Sequence, residues 1–175
     1  MSDYEELRAA RRRFPTGDRV RGRVSAMPWP AGLTGLFVDL GASPDGFVDV
    51  LHLPEDPAHW PPVGRTGLFE VLQHSIGQVR LFPLDAGMRA LRCRYSRWSG
   101  AEWRAITERY PVGSTVTGTV TAAFVSNLAY VVEFDDCWST VEADGPLPEV
   151  GSTGEYTVTR LLEWTHRIRL GALSR

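Results

Sequence analysis

The chain has 175 residues, 43% of them apolar, and its 19 basic residues, all arginine, face 21 acidic ones for a net charge of −2. That length holds one ordinary domain or two small ones, and the near-balanced charge gives no overall attraction for a polyanion. No apolar run reaches membrane-spanning length, the N-terminus lacks the blocks of a signal peptide, and Cys93 and Cys137 form no CxxC pair; the expected setting is a reduced, cytoplasmic one with no membrane partner.

The arginines are unevenly spread. Arg8, Arg11, Arg12, Arg13, Arg19, Arg21 and Arg23 crowd the first 24 residues, and Arg80, Arg89, Arg92, Arg94, Arg97, Arg104 and Arg109 lie between Ile76 and Tyr110. The stretch from Pro111 to Arg160 has only Arg160, against acids that include Glu133, Asp135, Asp136 and Glu142. The first half and the linker together are therefore slightly basic, and the second repeat is acidic. Guanidinium groups can fork onto phosphates and stack on bases, which ammonium groups cannot.

In chain order, Ser2 with Glu5 is a capping box and predicts a short helix running to Phe14. Phe14-Pro15-Thr16-Gly17 then makes a turn into Asp18-Arg19-Val20-Arg21-Gly22-Arg23-Val24, whose alternation predicts a strand with Arg19, Arg21 and Arg23 on its outer face. A glycine in mid-strand marks a bend or a close approach, as at the corner of a small barrel. Those three guanidiniums form a ready phosphate ladder, or else pair with Asp18, Asp39 or Asp49; the sequence leaves both open. After a Pro-rich loop, Gly35 to Gly41 predicts a second strand with Leu36, Val38 and Leu40 inside and Phe37 and Asp39 outside. Gly46 to Leu51 predicts a third strand, Pro54 to Pro62 a structured crossover, and Thr66 to Gln73 with Gln78 to Leu84 a hairpin.

The whole unit then recurs. Ser99 with Glu102 is a second capping box, and Tyr110-Pro111-Val112-Gly113 leads into Ser114-Thr115-Val116-Thr117-Gly118-Thr119-Val120. Val63 to Val71 returns as Val150 to Val158, and Val79-Arg80-Leu81 as Ile168-Arg169-Leu170. Between them the register of Leu128 to Phe134 is open, with either Tyr130 or Val131 facing out. The expected fold is all-β with short helices: two tandem five-stranded OB-type Greek-key barrels, each preceded by a short helix. The expected boundaries are 1–86 for the first barrel, 87–98 for an Arg-rich linker and 99–175 for a divergent second barrel. Trp98 and Trp103 are expected to fill a seam between the barrels.

Gly17-x-x-Val20-x-Gly22-x-Val24, then Gly35 to Gly41, Gly46-Phe47-Val48-Asp49, Val63-Gly64 and Arg80-Leu81, resembles the ribosomal protein S1-type RNA-binding domain, an OB-fold barrel. The resemblance covers most of the first repeat and the two ends of the second. It implies that bases stack on aromatics of the second strand and that phosphates meet a basic residue of the closing hairpin. Carried over, these positions are Phe37 and Arg80, with Thr34 at the first aromatic position and Asp49 at the family's histidine. In the second repeat they are Tyr130 and Arg169. The expected nucleic-acid-binding residues are therefore Arg19, Arg21, Arg23, Phe37, Asp49, Arg80, Arg92, Arg94, Tyr130 and Arg169.

No catalytic site, metal site or cofactor is expected. His52, Glu55 and His59 lie among prolines at no zinc spacing, Cys93 between Arg92 and Arg94 has no base partner, and Cys137 reads as core. Two functions remain open. One is a non-enzymatic protein that binds single-stranded RNA through the first barrel and linker. The other is an interaction module, such as an inhibitor, an immunity-type protein or a regulatory subunit, that has lost RNA binding and recognises a protein partner.

Overall fold

A computed structural model describes residues 2–27, 34–91 and 96–173. The chain divides into two compact units, Met1–Tyr95 and Ser96–Arg175.

The first unit opens with helix α1 (Asp3–Arg13), where the Ser2 and Glu5 side chains reciprocally bond each other's backbone N–H. Acids in its first turn and Arg11, Arg12 and Arg13 in its last complement the helix dipole. Leu7 and Ala10 are buried beneath it, and the Phe14 carbonyl lies 2.8 Å from His74 Nε2, which fixes the end of the helix to the barrel. Gly17, at φ +87°, turns the chain into β1 (Arg19–Ala26). The other strands are β2 (Gly35–Asp39), β3 (Gly46–Asp49), β4 (Thr66–Ser75) and β5 (Gln78–Pro83).

They close in the order β1-β2-β3-β5-β4, with β1 antiparallel to both β2 and β4 and with β3 parallel to β5. The mid-strand glycine is explained by the close approach of β2, since a Cβ on Gly22 would sit 2.4 Å from Val38 Cγ1. Val24, Leu36, Val38, Val48, Phe69, Val71, Val79 and Leu81 fill the barrel. Strand three is shorter than its apolar run: Asp49 accepts from the Leu51 N–H and turns Val50–His52 into a 3-10 turn. Within the crossover Trp60 is buried and donates to the Pro54 carbonyl at 2.8 Å.

The second unit begins with α2 (Gly100–Arg109), capped by Ser99 and Glu102 as α1 is by Ser2 and Glu5. Its strands are β6 (Thr115–Phe124), β7 (Ala129–Phe134), β8 (Cys137–Glu142), β9 (Thr153–Leu162) and β10 (Arg167–Ala172). They form a five-stranded sheet in the order β10-β9-β6-β7-β8. The expected second closed barrel is thus not completed by a backbone ladder, although β8 and β10 lie side by side. The registers supply a physical reason. Val38 faces Gly46 in the first unit, and Val132 faces Ser139 in the second. A Cβ on Gly46 would meet Leu81 Cδ1 at 2.4 Å, so the bare glycine lets β3 and β5 pair closely. Ser139 has a side chain there, and its hydroxyl takes the Leu170 N–H at 3.2 Å in place of a strand carbonyl.

The open register of β7 resolves the same way. A Cβ on Gly118 would sit 2.4 Å from Val132 Cγ1, matching Gly22 and Val38, so Val132 and with it Tyr130 face inward and Val131 outward. Trp103 and Trp98 belong to the core of their own unit. Trp103 is buried, stacks on His166 at 5.1 Å and donates to the Glu163 carboxylate at 2.7 Å, and Trp98 packs against the same cluster.

Candidate nucleic-acid interface

Strand alternation puts Arg19, Arg21 and Arg23 outward on β1, and all three are exposed. Arg23 lies directly across from Asp39 on β2, and the two side chains pair at 3.6 Å. Arg19 and Arg21 have no ion-pair partner among the described residues. The two readings of the ladder therefore divide within it: its last rung has a carboxylate beside it in an exposed pair, and two guanidiniums have none within 4.0 Å among the described residues.

Beside it runs a row across three strands. Phe37 on β2 faces Phe47 on β3, and Phe47 faces Arg80 on β5. The two phenyl rings meet edge to face at 5.3 Å, and the Arg80 guanidinium lies 4.8 Å from the centre of the Phe47 ring. Phe37 is half-buried on the outer face, whereas Phe47 beneath the guanidinium is buried. Asp49, two residues beyond Phe47, shares this face. One of its oxygens caps Leu51 and the other lies 3.9 Å from Arg80. Arg80 also donates to Gln78 Oε1 at 3.4 Å. At the first aromatic position Thr34 is exposed, and only its carbonyl is engaged, by the Val50 N–H.

Phe47 is a member of this row that sequence reasoning passed over. The signal lay in Phe47-Val48-Asp49, because alternation puts Phe47 on the face already assigned to Asp49. Arg92 and Arg94 lie outside the described residues, as do Trp29 and Cys93.

In the second unit the expected surface residues are not on the surface. Tyr130 is 5% exposed and packs near Tyr156, and burial, then the Tyr156 ring beside it, push its hydroxyl pKa up to about 12. Arg169 is 6% exposed and lies 3.8 Å from Glu142. The outward positions matching Phe37 and Phe47 are Val131 and Thr140, which offer no ring to a base. Phe124, Trp138 and Trp164 are exposed in this unit, and of these Trp138 lies directly across from Glu133 and next to the Asp135-Asp136 turn. Asp135 is already engaged, accepting from the Tyr110 hydroxyl and pairing with Arg109 at 3.0 Å.

Among the described residues no three His, Cys, Asp or Glu side chains gather to hold a metal ion, and no helix is long and apolar enough to cross a membrane. His52 is buried edge-on against Phe82, and His59 lies near Asp56 at the surface. Cys137 is buried, which pushes its thiol pKa up and away from the reactive thiolate.

A closed five-stranded barrel of OB-like topology, with a mixed arginine and aromatic outer face, is what the first unit defines. No family model and no curated protein matches the sequence. Among solved structures the chain is similar to a multidomain protein with nucleic acid binding domains from Streptococcus pneumoniae TIGR4, at 14% identity and a TM-score of 0.33, over 90% of this chain and 52% of that one. It is also similar to GSP13 from Bacillus subtilis, at 23% identity and a TM-score of 0.34, over 39% of this chain and 55% of that one. A third is drosophila Unr CSD456, at 11% identity and a TM-score of 0.29, over 94% of this chain and 66% of that one. The chain spans about half the length of the first two.

Proposed function

We propose that this protein is a non-enzymatic, cytoplasmic nucleic-acid-binding protein whose first barrel engages single-stranded RNA. The observation that carries the reading is that the outside of one barrel carries both exposed cations with no carboxylate partner, Arg19 and Arg21 on β1, and a half-exposed ring, Phe37 on β2, in a row with Phe47 and Arg80. Backbone phosphates fit the first pair and an unstacked base fits Phe37, the combination by which single strands are held without a groove to read. Arg80 joins them when it leaves Asp49. The test is anisotropy of a labelled single-stranded RNA at rising salt. Several phosphate contacts give a steep fall, about 0.7 log unit of affinity per log unit of salt for each contact. A flat dependence, or no binding at low salt, overturns the reading.

A second reading has its own observation. The second unit exposes Trp138 beside Glu133, an aromatic and acidic surface that repels phosphate and suits a protein partner. A stoichiometric protein recovered with the native chain, free of nucleic acid, supports that reading over the first.

A further inference from the structure

Between α1 and the barrel of the first unit lies a cleft of about 440 Å³ that includes Glu6, Ala9, Arg13, Phe37, Asp45 and Gly77 in its lining. Its size falls within the roughly 300–1,000 Å³ of small-ligand sites. The helix contributes Leu7, Ala9 and Ala10 and β2 contributes the Phe37 ring, so the apolar part of the lining is aliphatic on the helix side and aromatic on the strand side. Such a lining suits one planar ring. The exposed carboxylates of Glu6 and Asp45 are hydrogen-bond acceptors at this cleft, and Arg13 is a donor. Arg13 spends Nη1 on the Ser43 carbonyl at 3.3 Å and keeps its remaining N–H groups.

We infer that this cleft receives one unstacked base of the bound single strand, an amine-bearing base in preference to uracil, with an adjacent phosphate on Arg13. The inference rests on the nucleic-acid reading of the first barrel and adds a subsite and a base preference to it. Carboxylates accept from the exocyclic amine of cytosine, as they do when reading base edges elsewhere. Uracil puts a carbonyl oxygen at the same place and is repelled. The Arg19–Arg23 ladder discriminates nothing between these bases, because phosphate contacts carry no base identity.

The experiment compares 5′-fluorescein-labelled decacytidylate and decauridylate by anisotropy on the full chain. The parent should favour decacytidylate by at least about fivefold, the lower end of what one well-read base edge contributes. Ala9→Leu, at a half-exposed helical position that tolerates leucine, fills the cleft and should remove that preference with far-UV circular dichroism unchanged. Asp45→Asn, an exposed change that removes one acceptor and its repulsion of the uracil carbonyl, should narrow the preference from both sides, weakening decacytidylate and strengthening decauridylate. Arg13→Gln should weaken both oligonucleotides together. Equal affinity of the parent for both, or a preference intact in Ala9→Leu, overturns the cleft. In that case, if Arg19→Gln and Arg21→Gln still weaken binding, the barrel's function survives without the cleft. Failure of both oligonucleotides to bind the parent at low salt overturns the function and the cleft together.

Discussion

Arg80 on β5 and Asp49 at the end of β3 form an ion pair at 3.9 Å on the outer face of the first barrel. The second unit repeats it: Arg169 on β10 reaches Glu142 at the end of β8 at 3.8 Å. Both pairs match through the internal registers, and neither was visible as a pair in the sequence. Burial separates them. The first pair has side chains 33% and 27% exposed, and the second 7% and 20%. A pair as wet as the first is worth about 0–1 kcal/mol, little against a charge-assisted phosphate contact, so Arg80 is free to exchange Asp49 for RNA. Breaking the second strands a charge in the interior.

Asp49→Asn isolates this exchange. Asparagine caps as well as aspartate, so the Leu51 N–H stays satisfied and stability should change by less than about 1 kcal/mol. Arg80 loses its competitor, and RNA affinity should rise with a salt slope steeper by about one phosphate contact. Asp49→His tests the same face with the family's own residue and should also strengthen binding, at the expense of the cap. Unchanged affinity in both variants means this face is not the RNA site.

Glu142→Gln, in the second unit, should instead lower stability by about 3 kcal/mol, because Arg169 is left buried opposite a neutral group. Urea unfolding of the full chain measures it. RNA affinity should not move, and a rise in affinity would mean that the second unit carries a latent cationic site.

What the sequence made legible was local. Ser2 with Glu5 and Ser99 with Glu102 cap their helices, Gly17 and Gly113 turn at φ +87° and +91°, and Gly22 and Gly118 sit where a valine of the neighbouring strand comes close, each read from a few consecutive residues. What escaped depends on partners far along the chain. Leu128 to Phe134 is apolar at nearly every position, so no two-residue period fixed its register; Val132 against Gly118 does. Whether β8 and β10 close depends on Ser139 standing where Gly46 stands in the first unit. Trp103 reads as filling a seam between barrels until Glu163 and His166, some 60 residues on, are brought to it within its own unit.

These mid-strand glycines give a matched pair of stability tests. Gly22→Ala and Gly118→Ala each drive a methyl to 2.4 Å from a buried valine, and each should cost about 1–3 kcal/mol by overpacking. Gly154→Ala meets only ordinary contact with the Tyr156 hydroxyl at 3.4 Å and should be near neutral. Thermal melts of the three variants separate crowding from the general cost of replacing glycine in a strand.

Alkaline pH should act on the second unit. Burial, and then the Asp135 carboxylate, push the Tyr110 hydroxyl up to about 12, and Tyr130 stands as high. Unfolded tyrosine ionises near 10.0, so between these values the unfolded chain has released protons that the folded chain retains. The stabilisation is therefore complete below about pH 10 and falls as pH rises through about 12. Absorbance at the tyrosinate band, followed with circular dichroism, should show these two rings ionising late and together with loss of structure. Early ionisation with the fold intact would contradict their burial.

The interface itself is tested by setting Phe37 against its neighbours. Phe37 is half-exposed, so Phe37→Ala should leave the melt nearly unchanged and weaken single-stranded RNA binding by one to two orders of magnitude, since stacking is worth about 1–3 kcal/mol per base. Phe47 is buried under Arg80, and Phe47→Ala should cost about 3 kcal/mol of stability, so its effect on binding follows from loss of the fold. Arg19→Gln and Arg21→Gln should each reduce the salt slope by close to one contact, whereas Arg23→Gln should do less because Asp39 lies beside it. That ordering distinguishes a real surface from diffuse charge: a nonspecific polyanion attraction would make the three arginines equivalent and leave Phe37→Ala silent. If Phe37→Ala binds RNA as the parent does while its melt is intact, the ring is no stacking platform, and the variant's loss or retention of a protein partner then measures Phe37 as an anchor for the second reading.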